Sequence, residues 1–446
     1  LQCAPAERCG RLTADDRRRR LDPEGPHVST NVLDDLEWRG LIAHSTDRDA
    51  LRAALGEGSV RFYVGFDPTA PSLHMGHLVQ AMTARRLQDA GHTPYILVGG
   101  ATGMIGDPRD SGERTLNTLE TVQEWTDRVR RQLDRCVSFE GDNAARAVSN
   151  ADWTVNLSVI DFLRDIGKHF PVNRMLARDV VSRRLEEGIS YTEFSYVLLQ
   201  SMDFLHLFRE EGVTLQFGGS DQWGNLTAGA DLIRRAAGGH AHAFATPLLT
   251  KADGTKYGKT EGGALWLDPG MMSPYAFHQF WLNVEDEKVG ELLRVFTFLS
   301  HEEIEDLEAQ TAEKPFLRAG QKRLADEVTS FVHGPAETEA AKSAAAALFG
   351  GGDLTTVPAD TLTAALREAG SVQAPAGTGV VDLLVASGLA ASKGEARRTI
   401  GEGGAYVNNV RVEDVDHAPT AADLLGGSWL VLRRGKKRMA GVQLEG

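Results

Sequence analysis

Two histidines three residues apart, His74 and His77, begin a predicted helix directly after a predicted strand and a polar turn. Residues i and i+3 share a helix face, so both imidazoles point the same way, and Gly76 leaves a gap between them. The amino end of a helix offers unpaired backbone N–H groups and a positive dipole end to an anion. The pattern therefore predicts a nucleotide site, with the base on the glycine and the imidazoles donating to phosphates.

A second cluster of reactive side chains lies in the predicted loop 251–260, where Lys256, Lys259 and Thr260 follow a glycine turn. Lysine ammonium groups can neutralise charge on a departing pyrophosphate without needing fixed geometry. The ending Gly-Lys-Thr is also similar to that of a phosphate-binding P-loop, but Gly254 is one residue too close for that motif. A solvated charged loop is the alternative interpretation.

A polar stripe is predicted on one helix, where Tyr196, Gln200 and Asp203 occupy positions i, i+4 and i+7. The surrounding helix positions are mostly apolar, which leaves little surface for water. The alternative is a stripe that faces solvent. Because buried polar groups need hydrogen-bond partners, we predict instead that the stripe lines a polar pocket.

Two glycine-rich segments could contact other parts of a ligand. Segment 99–108 lacks the spacing of a dinucleotide fingerprint, so it is either a structural turn or a ligand loop. Asp107 within it could meet a substrate ammonium group, and Arg114 beyond it could reach phosphate. Segment 216–225 either caps a helix with its serine or aspartate, or lets a sugar approach the backbone while Asp221 accepts ribose hydroxyls.

Strands that alternate with helices must position these side chains. Periodicity and turn residues predict strands at 61–64, 93–98, 213–217 and from Pro247 into the lysine loop, and helices at 32–41, 74–90, within 119–235, and at 273–349. This alternation implies a parallel α/β sheet, whose ligands bind beyond the carboxyl ends of the strands.

Length and composition restrict the class of protein. The 446 residues suffice for two or three domains, and no run of about 18 apolar residues predicts a membrane span. A net charge of −14 argues against indiscriminate coating of nucleic acid. Three cysteines without zinc-ligand spacing predict a reducing cytoplasm and no structural metal. Residues 1–30 mix arginines with acids and lack an apolar centre, which predicts a disordered tail rather than a targeting segment.

The last seventy residues differ in charge from the rest of the chain. Residues 377–446 carry a net charge of +1, against −15 for the residues before them. We predict local RNA contact there through five basic residues, and a solvated basic face is the alternative. The five are Lys393, Arg397, Arg398, Arg433 and Arg434.

Together these segments resemble the bacterial tyrosyl-tRNA synthetases, which are class I aminoacyl-tRNA synthetases. His74-Met-Gly-His77 is similar to the HIGH motif of that family, and Lys256-Tyr-Gly-Lys259-Thr260 to its KMSKS loop in the form KFGKT. The resemblance runs from about Val32 to the end. It includes Gly-Phe-Asp-Pro-Thr, Gly-Gly-Ser-Asp-Gln-Trp-Gly-Asn and a C-terminal S4-like domain.

The resemblance implies a role for each candidate residue. Tyr63 and Asp203 would bind the phenolic oxygen of tyrosine. The remaining tyrosine contacts would be Asp107, Tyr196 and Gln200 to the ammonium group and Gln222 to the carboxylate region. The ATP nucleoside and the adenylate would contact His77, Gly65, Asp67, Gly76, Gly219 and Asp221. The pyrophosphate would contact Thr69, His74, Arg114, Lys256 and Lys259.

The resemblance also implies an architecture and partners. We expect an α/β fold: a Rossmann-like parallel-sheet catalytic domain, an α-helical domain and a small α+β S4-like domain. The predicted segments are a tail (1–30), the catalytic domain (31–272), the tRNA (anticodon)-binding helical domain (273–349), a connector (350–379) and the S4-like RNA-binding domain (380–446). The implied partners are tRNA(Tyr), L-tyrosine, ATP with Mg²⁺ and a second copy of the chain, in the cytoplasm and away from membranes.

Two other functions remain open from the sequence. A tryptophanyl-tRNA synthetase shares this architecture but normally lacks the S4-like tail, and the hydroxyl of Tyr63 beside Asp203 suits a phenol better than an indole. A non-catalytic RNA-binding protein on the same scaffold should have lost histidines or lysines of the ATP motifs, and all are present. One departure from the family is the segment 109–112, which contains no lysine.

Overall fold

The computed structural model describes residues 31–108, 118–186, 188–250, 257, 259–260, 263–350, 352–435 and 438–445. Within those ranges the side chains of residues 119, 179, 180, 259, 260, 263 and 350 are not described. The predicted tail, Arg114 and Lys256 therefore lie outside the described residues, and so does the side chain of Lys259.

Six strands form the first sheet, in the order β1-β6-β5-β2-β3-β4. Their bounds are β1 His44–Ser45, β2 Arg61–Phe66, β3 Thr93–Val98, β4 Arg146–Val148, β5 Leu215–Gly219 and β6 His242–Thr246. The short β1 is antiparallel to β6, and the other five strands run parallel. The predicted α/β fold with a parallel sheet is therefore confirmed.

The strand order reverses beside β2. The chain passes outward from β2 to β3 and β4, then returns to the other side of β2 to add β5 and β6. In such doubly wound sheets the carboxyl ends of the two strands at the reversal border a crevice that binds ligands. The loops that follow β2 and β5 carry Asp67 and Asp221, respectively, so the fold places both at this crevice.

The helices of this region cover both faces of the sheet. They are α1 Val32–Trp38, α2 Arg48–Glu57, α3 Met75–Asp89, α4 Thr102–Ile105, α5 Leu119–Cys136, α6 Ala151–Thr154, α7 Val159–Asp161, α8 Val172–Leu176, α9 Asp179–Arg184, α10 Tyr191–Glu211 and α11 Trp223–Ala237. Single turns of other helix types occupy Phe162–Ile166, Gly167–His169 and Ser220–Gln222.

Side chains of β2 alternate between two cores. Phe62, Val64 and Phe66 join one apolar cluster together with residues of α3, whereas Tyr63 joins the cluster formed with α10. This alternation follows from the pleat, because successive residues of a strand point to opposite faces. Tyr63 is consequently buried on the side that carries the polar stripe of α10.

The region 273–349 is helical, as its pattern predicted, and it contains five α-helices. They are α12 Pro274–Leu282, α13 Asp286–Phe296, α14 His301–Glu313, α15 Ala319–His333 and α16 Pro335–Gly350, with a short turn at Pro315–Leu317. Two arginines join them to the sheet region: Arg39 donates to the carbonyl oxygen of Thr297 (3.2 Å), and Arg86 donates to the same oxygen (2.5 Å). Both cations thus satisfy carbonyl groups beyond the carboxyl end of α13.

The C-terminal part contains a second sheet, in the order β11-β10-β12-β13-β9. Its elements are α17 Ala359–Glu368, β9 Ser371–Pro375, α18 Val380–Ala386, α19 Lys393–Gly401, β10 Ala405–Val407, β11 Val410–Arg411, β12 Trp429–Arg434 and β13 Arg438–Glu445, with short turns at Leu354–Thr356 and Ala421–Asp423. Trp429 and Val431 of β12 pack with Leu362 of α17 in one apolar cluster. The predicted segment 350–379 thus contains a helix and a strand of this sheet, and the domain bounds themselves stay a prediction.

Two expectations about strands were wrong. The strand predicted from Pro247 lies earlier, at β6, and ends before the proline, which has no N–H to donate to a ladder. A two-residue hairpin occupies the end of that region, with β7 at Lys259–Thr260 and β8 at Gly263–Ala264. The short strand β4 was missed within the segment predicted as mainly helical, since three residues show no clear period.

Among the residues that the structure describes, no helix is long and apolar enough to cross a membrane. The same residues contain no group of three or more His, Cys, Asp or Glu side chains arranged to hold a metal ion.

Candidate active site

The polar stripe of α10 is buried at the crevice, as the sequence predicted. Asp203 and Tyr196 are only 2% and 5% exposed, and Gln200 is half-buried. The Tyr196 hydroxyl donates to Asp67 Oδ2 (2.6 Å), and Thr102 Oγ1 donates to Asp67 Oδ1 (2.6 Å). One carboxylate therefore joins the loop after β2 to α4 and α10.

A buried asparagine connects this carboxylate to the next one. Asn150 Nδ2 donates to Thr102 Oγ1 and to Asp203 Oδ2, each at 2.9 Å, and Trp153 Nε1 donates to Asp203 Oδ1 (2.8 Å). Burial raises the pKa of Asp203 to about 7, although both donors oppose that shift by stabilising the carboxylate. Asp203 is consequently a hydrogen-bonded acceptor that titrates close to neutral pH.

The hydroxyl of Tyr63 lies beside this carboxylate. It accepts a hydrogen bond from Gln216 Nε2 and donates to the carbonyl oxygen of Gln200 (3.5 Å). Burial and the negative charge of Asp203 raise its pKa well above the ordinary value for tyrosine, so the hydroxyl keeps its proton. A neutral hydroxyl and a carboxylate acceptor therefore occur together at this buried end of the pocket.

A second carboxylate, the half-buried Asp107, is held by two amides of the α11 segment. Gln222 Nε2 donates to Asp107 Oδ2 (2.7 Å), and Asn225 Nδ2 donates to Asp107 Oδ1 (3.2 Å). Burial raises the pKa of Asp107 to about 6, and the charges of Asp67 and Asp221 act in the same direction. The structure thus places Gln222 against Asp107, whereas the resemblance assigned it to the substrate carboxylate.

The two histidines cap their own helix. Gly76 N–H donates to His74 Nδ1 (3.1 Å), His74 N–H donates to His77 Nδ1 (3.2 Å), and the two rings stack with centroids 4.0 Å apart. A Cβ at position 76 would lie only 3.0 Å from His74 Cε1, which is too close for an ordinary contact. The absence of a side chain at Gly76 therefore leaves room for the His74 ring in this stack. The expectation that the first N–H groups are unpaired is wrong at Gly76, because an imidazole nitrogen accepts its hydrogen bond. Burial and the adjacent His74 lower the pKa of His77 well below its ordinary value, which makes the ring neutral.

The segment after the lysine loop is tied to the histidine motif. Met75 N–H donates to Leu265 O (3.1 Å), and Leu267 N–H donates to Leu73 O (2.9 Å), on either side of the bridge between His74 and Trp266. The hairpin β7–β8 lies just before this bridge. The fold therefore joins the backbone of the histidine motif to residues 265–267, which follow the lysine loop in the sequence.

Four more of the predicted ligand residues lie at the ends of β2 and β5 or in the loops that follow them, around the same crevice. Gly65 and Asp221 are exposed, whereas Gly219 and Thr69 are half-buried. A Cβ on Gly219 would lie 2.5 Å from Asp221 Oδ1, so the backbone passes close to that carboxylate. No side chain caps α11, so the alternative that Ser220 or Asp221 serves as its cap is wrong.

Sequence reasoning missed several residues of this network, namely Thr102, Asn150, Trp153, Arg178 and Asn225. Asn150 and Trp153 follow the carboxyl end of β4, the short strand that the pattern did not resolve. Recognition of that strand would have placed both at the ligand edge of the sheet.

The five basic C-terminal candidates divide into two groups. Three are engaged within the domain: Lys393 pairs with Asp382 (2.6 Å), Arg434 pairs with Glu395 (2.8 Å), and Arg433 donates to Asn409 Oδ1 (3.0 Å). Across the described parts of the chain, no hydrogen bond or ion pair engages the side chain of Arg397 or of Arg398, and both are exposed on α19. The structure thus does not bring the five together as one free cationic surface.

Comparison with protein families identifies the class that this fold and site define. Residues 56–350 match the family described as tRNA synthetases class I (W and Y), and residues 362–442 match the tyrosine--tRNA ligase SYY-like C-terminal domain. The sheet with its crevice at the order reversal is thus the catalytic fold of a class I tRNA synthetase.

Individual relatives narrow the class. The chain is 60% identical over 420 residues to a tyrosine--tRNA ligase of Streptomyces coelicolor, which spans 94% of this chain and 100% of that one. It is 57% identical over 421 residues to the tyrosine--tRNA ligase of Mycobacterium tuberculosis H37Rv, spanning 93% and 99%. A C-terminally truncated mitochondrial tyrosyl-tRNA synthetase of Aspergillus nidulans superposes with a TM-score of 0.65 at 30% identity, covering 72% of this chain and 94% of that one.

The chain therefore belongs to the tyrosine--tRNA ligase family, and its enzymatic class is that of an ATP-dependent aminoacyl-tRNA ligase. The alternatives of a tryptophan-specific enzyme and of a non-catalytic scaffold find no support among these relatives, which are tyrosine--tRNA ligases over nearly the whole chain.

Proposed function

We propose that the chain activates L-tyrosine with ATP and then transfers the tyrosyl group to the terminal ribose of tRNA(Tyr). The observation that carries this proposal is that the Tyr63 hydroxyl and the Asp203 carboxylate are both buried in the same pocket, close enough for the charge of Asp203 to raise the pKa of Tyr63. A phenol both donates and accepts a hydrogen bond, so Asp203 can accept from it while Tyr63 donates to it. An indole N–H could use only the carboxylate.

The opposite end of the tyrosine site recognises the ammonium group. Asp107 supplies the negative charge that attracts the ammonium group. The hydroxyl of Tyr196 donates to Asp67 and lies close enough to Asp107 to sense its charge. Gln200 Oε1 is buried and has no hydrogen-bond partner among the described residues, so it is an acceptor suited to an N–H of the substrate. In this assignment Gln222 acts through Asp107 as well as near the substrate carboxylate.

Adenylate formation needs no general base. The carboxylate of tyrosine is ionised at neutral pH and can attack the α-phosphate of ATP directly, releasing pyrophosphate. Catalysis is therefore positioning together with stabilisation of charge on the leaving group. We assign the nucleotide to Gly65, Asp67, Gly76, His77, Gly219 and Asp221, and the pyrophosphate to Thr69, His74, Arg114, Lys256 and Lys259. ATP enters as its magnesium complex, because Mg²⁺ prefers phosphate oxygens and water to a protein cage.

A second copy of the chain is the proposed partner of an exposed apolar surface. Between positions 155 and 191, large apolar side chains face solvent, including Val159 (72% exposed), Ile160 (69%) and Val172 (61%). Clusters of this kind on one surface mark interaction sites, and self-complementary dimers are the commonest assembly. We propose a cytoplasmic homodimer that uses this surface. Separately, we propose that the exposed Arg397 and Arg398 of α19 contact tRNA.

The test is amino-acid-dependent exchange of pyrophosphate into ATP. We expect exchange with L-tyrosine and none above background with L-tryptophan, and charging of tRNA(Tyr) by the same preparation. Exchange with tryptophan instead of tyrosine, or no exchange with either, would contradict the proposal. Sedimentation of the wild type against Val159→Asp tests the dimer separately, because a charge in an apolar interface should shift the equilibrium to monomer.

A further inference from the structure

Arg178 is a half-buried cation directly before α9, and its partner lies on α11. Its Nη2 donates to Asn225 Oδ1 at 2.6 Å. The guanidinium lies against the first turn of α11, where a Cβ on Gly224 would come within 2.7 Å of Nη2. Burial lowers the pKa of Arg178, and the negative charge of Asp107 opposes that shift. A cation that loses hydration here therefore has a carboxylate close by to compensate.

The hydrogen-bond chain from Arg178 has a fixed direction. A guanidinium has only donors, so Asn225 must present its oxygen to Arg178 and its Nδ2 to the other side. That Nδ2 donates to Gln222 Oε1 (2.9 Å) and to Asp107 Oδ1. Because Gln222 accepts through its oxygen, its Nε2 faces Asp107 Oδ2 and donates to it. One cation thus sets the orientation of two amides that could otherwise flip.

We propose that Arg178 is a positioning residue for amino-acid recognition: through Asn225 and Gln222 it orients two N–H donors onto Asp107, which holds that carboxylate in place for the substrate ammonium group. This inference rests on the proposed function, since it assigns the ammonium group of tyrosine to Asp107. If Asn225 flipped, its oxygen would face Asp107 and the two acceptors would repel each other.

A purely structural role for Arg178 would be to fasten the α9 segment to α11. The two roles differ in which ligand they affect. Tyramine and 4-ethylphenol share the phenol and the ethyl group and differ only in the ammonium group. A loosened pocket should weaken the binding of both ligands. Loss of the hydrogen-bond chain from Arg178 through Asn225 and Gln222 to Asp107, here called the relay, should weaken the binding of tyramine only.

The experiment measures dissociation constants of L-tyrosine, tyramine and 4-ethylphenol for the full chain at pH 8, well above the pKa of about 6 that burial gives Asp107 in the wild type. For Arg178→Met we expect about tenfold weaker binding of tyrosine and tyramine, which is the effect typical of losing one charge-assisted hydrogen bond. The affinity for 4-ethylphenol should change by less than about twofold. The direction of the change in affinity is informative, because loss of the positive charge of Arg178 by itself should strengthen the binding of a ligand with an ammonium group. Arg178→Lys keeps a donor toward Asn225 and should bind all three ligands nearly as the wild type does.

Two further variants and a control sharpen the test. Gly224→Ala should displace the guanidinium, which is the end of a flexible side chain, and reproduce the direction of Arg178→Met. Asn225→Leu removes both the acceptor for Arg178 and the donor to Asp107 without adding a charge, so it should weaken tyramine binding in the same direction as Arg178→Met. Arg234→Met, which changes an exposed arginine of α11 that is paired with Asp231, is the matched control and should change none of the three affinities.

Equal weakening of all three ligands by Arg178→Met, or no weakening of tyramine, would overturn the relay. Failure of the wild type to bind tyrosine would overturn the proposed function together with it. Binding of tyrosine by the wild type without a selective loss in the variants would overturn the relay alone, so the two failures are distinguishable.

Discussion

The proposed tyrosine pocket and the C-terminal basic region were both identified in the sequence by their polar residues, yet these residues differ in burial and bonding in the structure. In the pocket, Tyr196 and Asp203 are buried and bonded into one network with Asp67. In the C-terminal sheet region, Arg397 and Arg398 are exposed, while Lys393 and Arg434 form ion pairs inside the domain. Polar residues of similar prominence in the sequence therefore lie in opposite environments.

The difference shows how strongly each kind of residue indicates function. A buried carboxylate is costly unless it is hydrogen-bonded, so several such groups in one crevice indicate a site that must bind a polar ligand. An exposed arginine costs little, and its ion pairs contribute little to stability. We therefore expect changes in the pocket to have large, specific effects and changes on the basic surface to have small effects that depend on salt.

The largest effect is expected at Asp203. Asp203→Asn replaces the acceptor of the substrate phenol and turns an N–H toward Asn150 or Trp153, both of which donate to this position. We expect kcat/KM for tyrosine in pyrophosphate exchange to fall by about 10²-fold, or about 3 kcal/mol of transition-state stabilisation.

The control for this substitution is Asp152→Asn, an exposed aspartate one residue before Trp153. It should leave kcat/KM within about twofold of the wild type, since substitutions of exposed residues away from special features have small effects. If kcat/KM fell by similar factors in Asp203→Asn and Asp152→Asn, the effect of Asp203→Asn could not be attributed to the buried position of that carboxylate.

The next effect is a pH dependence that only the pocket should show. The pKa of Asp107 is raised to about 6 by burial, so this carboxyl becomes protonated as the pH falls through 6 and can no longer pair with an ammonium group. We expect the affinity for tyramine, relative to that for 4-ethylphenol, to fall about fivefold between pH 6 and pH 5, as for binding that requires one further deprotonated group with a pKa of about 6.

4-Ethylphenol provides the control for this titration, because it has no ammonium group for Asp107. Its affinity should respond only near pH 7, where Asp203 titrates and accepts from the phenol in its ionised form, and tyramine should share that response because it carries the same phenol. Parallel pH profiles for the two ligands would mean that Asp107 is not the ammonium partner.

The sequence predicted the fold and much of the pocket because both depend on strong local patterns. Strand β3 was predicted at its observed bounds, and the stripe of Tyr196 and Asp203 was recognised from its helical spacing. The partners of the stripe were not predictable in this way. Asn150 reaches Asp203 only through the parallel pairing of β4 with β3, a contact between residues distant in the chain.

The C-terminal region illustrates the opposite limit of sequence reasoning. Its positive charge was evident from composition, but which arginines remain available depends on side-chain contacts. Arg434, for example, also donates to the carbonyl oxygen of Leu389 (2.8 Å), so it stabilises the loop before α19. Charge counts cannot distinguish such a residue from Arg397.

A smaller effect is expected from the exposed arginines of α19. The double variant Arg397→Gln, Arg398→Gln should weaken tRNA binding by about fivefold at low salt and reduce the slope of log affinity against log salt by about 1 to 2. Pyrophosphate exchange should be unchanged, because these residues lie on α19, outside the six-stranded sheet region that forms the crevice. Loss of exchange in this variant would contradict a separate RNA-binding role.

The smallest effect is expected at Lys393, whose ion pair with Asp382 joins two side chains that are 62% and 49% exposed. Lys393→Gln should alter the free energy of unfolding by less than about 0.5 kcal/mol, since exposed ion pairs contribute little, and tRNA affinity by less than about twofold. Arg434→Gln is the matched comparison and should destabilise the domain more, because it loses both Glu395 and a backbone carbonyl. Thermal unfolding and tRNA titration of both variants would decide the point. A loss of tRNA affinity at Lys393 as large as that of the α19 double variant would mean that an internal ion pair does not remove a cation from the RNA-binding surface.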